Sequence, residues 1–122
     1  MVHWISGETI LTTYPKTVQP KDYLDNFKEV REMVLEQGRY VTAIFDFSVI
    51  EDPIYIRAMG CALCMHEYSG KCCNGIWVAQ NEAIRYELKQ LCDFIPVPIA
   101  VEIVPTIEEA LRHANRVLTR PA

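Results

Sequence analysis

The sequence predicts an α/β protein built on a mostly parallel sheet, and three observations carry that reading. Apolar runs of strand length alternate with segments whose apolar residues recur at helical spacing. After an opening pair of strands come three strand–helix–strand links, and parallel neighbours need such long, right-handed crossovers. Each expected helix also has a start signal, at Pro20, Asp52-Pro53, Asn81 and Thr106. The expected order is ββαβαβαβα: about five strands with an antiparallel edge strand, and four helices, in one domain over residues 1–122.

Taken in order, VHWISGETILTTYP has two short apolar runs around Ser6-Gly7-Glu8 and reads as a hairpin. Beyond Pro20, Tyr23, Phe27, Val30 and Val34 recur at steps of four and three, the buried face of an amphipathic helix stopped by Gly38. Tyr40–Asp46 is a continuous apolar strand, as expected for one covered on both faces. Asp52 as N-cap and Pro53 open a helix expected over 53–68. Strand Gly75–Ala79 leads to Asn81, the N-cap of a third helix with Ile84, Leu88, Leu91 and Ile95 on its apolar face. Strand Ile99–Val104 follows, and Thr106 with Glu109 forms a capping box for the last helix. Its expected buried face is Ile107, Ala110, Leu111, Ala114, Val117 and Leu118.

Half of the 122 residues are apolar and 23% are charged, an ordinary globular balance. The net charge is −4, and Lys and Arg are dispersed without the basic stripe that nucleic-acid binding requires, so no nucleic-acid partner is expected. No apolar run approaches the roughly 20 residues of a membrane span. The opening MVHWISGE has no basic region followed by an apolar one, so no secretory signal is expected. With five cysteines, an odd number, this points to free thiols in a reducing cytoplasm.

The order of elements resembles the STAS domain, the fold of anti-sigma-factor antagonists and related stand-alone modules. Phe45-Asp46-Phe47-Ser48 is similar to that family's strand-end D-L-S turn, and Thr106-Ile107-Glu108-Glu109-Ala110-Leu111 to its closing T-x-x-E-A-L helix. The resemblance implies a protein-binding, regulatory role. Family members that act as phosphorylation switches carry D-S-S-G at the following helix. Here Ile50-Glu51-Asp52-Pro53-Ile54-Tyr55 puts Pro53 and Ile54 where the serines would be, which argues against a phosphoserine switch at that place.

Four of the five cysteines and one of three histidines fall in MGCALCMHEYSGKCCNG, residues 59–75. A zinc site would draw on Cys61, Cys64, His66 and Cys72. Against it, Cys61 and Cys64 lie inside a helix, His66 is about 200° around that helix from Cys64, and adjacent Cys72 and Cys73 point to opposite faces in extended chain. A redox role needs a helix N-terminus to stabilise thiolate, and Cys61 is too far inside. Cysteine as a small hydrophobe is the simpler reading. Helix 53–68 is apolar nearly all round, which implies burial on more than one side and suggests a surface for a second copy or a partner protein.

Elsewhere the carboxyl ends of the strands, where open α/β sheets bind ligands, offer Asp46, Ser48, Gln80, Asn81 and Thr106. No glycine-rich phosphate loop follows any strand. Asp46 lacks the acidic pair and lysine of a phosphoacceptor site and reads as a turn-former with Ser48. His3, His66 and His113 are dispersed, and Trp4, Tyr14, Tyr40, Phe45 and Trp77 read as core aromatics. The expectation is a non-enzymatic cytoplasmic module without cofactor, binding a protein partner or its own copy as a homodimer. Asp46, Ser48, Asp52, Ile54, Met59, Cys61 and Met65 are the expected contact residues. The alternative is a small-molecule-binding domain with a pocket between the sheet and the cysteine helix.

Overall fold

The structure, a computed structural model, describes residues 1–38, 40–65, 73–94 and 101–119. The order of elements is β1 (Val2–Ser6), β2 (Thr9–Thr13), α1 (Pro20–Gln37), β3 (Val41–Asp46), α2 (Ile54–Met65), β4 (Cys73–Val78), α3 (Glu82–Phe94), β5 (Val101–Val104) and α4 (Ile107–Thr119). This is the ββαβαβαβα order expected. The five strands form one sheet in sequential order, β1-β2-β3-β4-β5, with β1 antiparallel to β2 and every other pair parallel.

Local chemistry explains most element ends. Pro20 supplies a preset φ at the first turn of α1, and the Gln19 N–H donates to the Asp22 carboxylate at 2.9 Å. Gly38 closes α1 with φ 67°, the left-handed conformation that glycine adopts without a Cβ penalty. Asp52 Oδ1 accepts the Ile54 N–H at 3.0 Å, and Asn81 Oδ1 accepts those of Ala83 and Ile84 at 2.8 and 3.2 Å. Thr106 Oγ1 accepts the Glu109 N–H at 3.2 Å, one half of the expected capping box, while the Glu109 carboxylate lies 4.0 Å from Arg112.

Side-chain alternation along the strands divides the core in two. Ile10, Val41, Ala43, Phe45 and Trp77 face one side, where Tyr23, Phe27, Val30 and Val34 of α1, Ile56, Met59 and Ala62 of α2, and Ile84 and Leu88 of α3 pack on them. Ile44, Ile76, Val78 and Val104 face the other and are covered by Ala110 and Ala114 of α4. Sequential strand order with crossovers of one hand puts all three crossover helices on the same face. Helix α2 is therefore the middle one, in contact with both α1 and α3.

That position bears on the inference drawn from α2's composition. Among its described side chains, Ile56, Met59 and Ala62 are buried in the core that the sheet forms with α1 and α3, which gives part of its apolar surface a place within the chain. Among its described side chains, those α2 leaves to solvent form a stripe at helical spacing: Ile54, Arg57 and Cys61. Three core expectations also change. Trp4 and Tyr40 are exposed, Trp4 because it sits on an edge strand and Tyr40 because it precedes β3; Leu111 is exposed on the outer side of α4. The expected buried positions Val117 and Leu118, together with Ile95 and Ile99-Ala100, lie outside the described side chains.

Candidate functional site

The segment after β3 is fixed at both ends. Phe47 and Ile50 are buried at 1% exposure each; the Phe47 N–H donates to the Val78 carbonyl at 2.9 Å and the Ile50 N–H to the Phe47 carbonyl at 3.0 Å. Asp46 Oδ1 accepts the Ser48 N–H at 3.0 Å and also the Ser48 hydroxyl, closing an Asx turn. The Asp52 cap then sets the start of α2. Val49 and Ile54 stand 48% and 55% exposed, rimmed by exposed Ser48, Glu51 and Asp52.

Of the expected contact residues, Asp46, Ser48, Asp52 and Ile54 thus share one surface, with Cys61 further along the same helix. Met59 does not: it is 1% exposed and packs toward the sheet, because it lies on the opposite side of α2 from Ile54, Arg57 and Cys61. The side chains of Cys64 and Met65, and residues His66 and Cys72, lie outside the described residues, so of the expected zinc set only Cys61 can be placed, as an exposed free thiol. Among the described residues no three His, Cys, Asp or Glu side chains are grouped to hold a metal ion.

The space between the sheet and α2, where a small-molecule pocket was expected, is filled among the described residues by Ile56, Met59, Ala62, Phe45 and Trp77. A groove of about 550 Å³ lies instead beside α4, lined by Glu109, Arg112, His113 and Asn115. His113 Nδ1 pairs with Glu102 Oε2 of β5 at 2.6 Å, a partner eleven residues away in sequence that local reading of the histidine missed. The polar groups at the carboxyl ends of the strands are engaged with their own backbone: Asp46 with Ser48, Asn81 and Thr106 with the helices they cap.

A buried polar chain runs beneath α1. The Tyr14 hydroxyl donates to Asn26 Oδ1, and Asn26 Nδ2 donates to Thr12 Oγ1 at 3.5 Å. Tyr14 also stacks on Phe47 at 5.1 Å, which ties this network to the root of the β3–α2 loop. Beside it the Tyr23 hydroxyl is buried without a hydrogen-bond partner among the described residues, its ring centroid 5.1 Å from that of Tyr14. Burial pushes both phenols above their ordinary pKa, Tyr14 with a further push from Tyr23 and Tyr23 with one from the Asp22 carboxylate. The sequence held a signal for this network: Asn26 interrupts the apolar stripe between Tyr23 and Val30.

Fold and surface together define an α/β protein with a five-stranded mixed sheet, and no described helix is long and apolar enough to cross a membrane. The sequence matches no protein-family model, and no curated protein matches it either.

Proposed function

We propose that this chain is a STAS-like, non-enzymatic interaction module of the cytoplasm that docks a regulatory protein partner on the β3–α2 loop and the adjoining stripe of α2. One observation carries the reading: Val49 and Ile54 are held in solvent by a loop whose neighbours Phe47 and Ile50 are locked in the core. Surface aliphatics on a rigid, hydrogen-bonded turn lose little entropy on docking, which is how preorganised sites gain affinity. The carboxylates around them supply a polar rim. The element order, the Phe45–Ser48 turn and the Thr106–Leu111 helix start add the family resemblance, and the missing serines leave docking without a phosphate as its mode.

The test is to recover partners with the wild-type chain and with Val49→Glu and Ile54→Glu, after checking by circular dichroism that the variants remain folded. A protein bound by wild type and released by both substitutions supports the reading. A stoichiometric complex that survives both, together with Ser48→Ala and Asp52→Ala, refutes it.

A further inference from the structure

The exposed aliphatics Val49 and Ile54 sit in a field of one sign. Every ionisable side chain from Asp46 to Ile54 is acidic: Asp46, Glu51 and Asp52. Asp46 and Asp52 are held in place through Oδ1, one by the Ser48 turn and the other by the first turn of α2. Glu51 stands before that helix start, in solvent. Arg57, one turn along the α2 stripe, does not offset them. It donates through Nε and Nη2 to Glu87 Oε1 of α3, at 3.3 and 2.9 Å, so its charge is matched within the chain.

That ion pair also sets α2 beside α3. β3 and β4 are parallel neighbours, so the helices that follow them start at the same end of the sheet. Exposed Glu82, at the start of α3, therefore adds a further carboxylate to this end. Exposed Lys16 and Lys21 belong to the β2–α1 side, where Asp22 and Asp25 accompany them in sequence.

We infer that the occupant of this surface is a cationic amphipathic segment of the partner protein. Its aliphatic side chains lie against Val49 and Ile54, and its lysines or arginines against Asp46, Glu51, Asp52 and Glu82. This rests on the docking surface proposed above and adds the chemistry of what docks there. Opposite charge at a rim steers encounter and fixes register, while like charge excludes wrong partners. An acidic segment would meet four carboxylates, and an uncharged one would desolvate them without compensation. Two exposed aliphatics and one helical stripe form a patch well below the ~1,600 Å² of a standard interface, which suits a single segment better than a whole domain face.

The probe is a short leucine–lysine peptide with its leucines on one helical face, titrated into the full chain and followed by amide chemical shifts. Two controls are a peptide of the same composition with scattered leucines and one with glutamate in place of lysine. The amides of Val49, Glu51 and Ile54 are expected to shift, with binding about fivefold or more tighter than either control and weakened by added salt. Glu51→Lys/Glu82→Lys weakens it about tenfold. Glu29→Lys/Glu32→Lys, at exposed positions of α1, changes the net charge by the same amount and leaves binding unaltered. Should the first double variant not fold, the peptide comparison and salt dependence on the wild type decide. No binding, equal binding of the scattered peptide, shifts centred away from the β3–α2 loop, or equal effects of the two double variants overturns the inference. A recovered partner that Val49→Glu and Ile54→Glu release, but that withstands both salt and Glu51→Lys/Glu82→Lys, overturns it too and leaves the docking surface standing. A complex that survives Val49→Glu and Ile54→Glu removes the surface itself.

Discussion

Tyr14 and Tyr23 offer the same chemical deletion in two adjacent buried places with opposite expected signs. Tyr14→Phe removes the donor to Asn26 Oδ1 and leaves a buried amide oxygen unpaired. The lost bond contributes about 1 kcal/mol net, and an orphaned buried acceptor costs about 1–3 kcal/mol in desolvation, so the variant is less stable by about 2 kcal/mol. Tyr23→Phe removes a buried hydroxyl that has no partner among the described residues, so it takes away a desolvation cost and no bond seen there. It is expected to be neutral or to stabilise by up to about 1 kcal/mol. The difference of about 2–3 kcal/mol is about 8–12 °C in melting temperature at about 4 °C per kcal/mol for a domain of this size. Urea denaturation followed by fluorescence measures it, since Trp77 sits edge-on to Phe47, which stacks on Tyr14. Equal losses in the two variants, or a loss above about 1 kcal/mol for Tyr23→Phe, would show that the Tyr23 hydroxyl is bonded in solution and that the reasoning fails.

The same phenols set the alkaline limit of stability. Their pKa values are raised on folding, so the folded chain keeps protons that the unfolded chain releases above about pH 10. Stability is therefore level below that pH and falls as pH rises beyond it, by about 1.4 kcal/mol per pH unit for each tyrosine, and equilibrium unfolding of the Tyr14→Phe/Tyr23→Phe double variant loses this slope. Asn81→Ala removes an acceptor serving two N–H groups of α3 and is expected to cost about 1 kcal/mol in chemical denaturation. Gly38→Ala places a Cβ at φ 67°, which meets no atom of the described residues within 4 Å, so its expected loss of about 1 kcal/mol comes from backbone conformation. In the native state Cys61 reacts with a thiol reagent faster than Cys92, which is partly covered and whose pKa burial raises; mass spectrometry of timed alkylation ranks the two.

Elements were legible where their signals are local. Pro20, Gly38, Asp52, Asn81 and Thr106 each act within a turn of their own position, and each stands at the boundary expected from it. Burial was less legible because it depends on neighbours. Nothing within 53–68 says that its helix lies between two others, and an all-apolar helix can be surrounded by its own fold or by another chain. Trp4 and Tyr40 look like core residues until the strand order makes one an edge position and leaves the other outside β3. At the candidate site the turn of Asp46 and Ser48 was readable from residue types. The exposure of Val49 was not, since it follows from Phe47 and Ile50 taking the inward places on either side. The pairs His113–Glu102 and Tyr14–Asn26 join separate elements, beyond the reach of any local pattern.

Sequential strand order has a bearing on how the molecule comes into being. Every strand pairs with the one made just before it, so no strand must insert between two already joined. Emerging from the ribosome N-terminus first, the chain can extend its sheet one helix-and-strand unit at a time, each unit docking on the edge its predecessor left open. The edge that advances is always the newest of these strands, while β1 keeps its outer side as the later units are added.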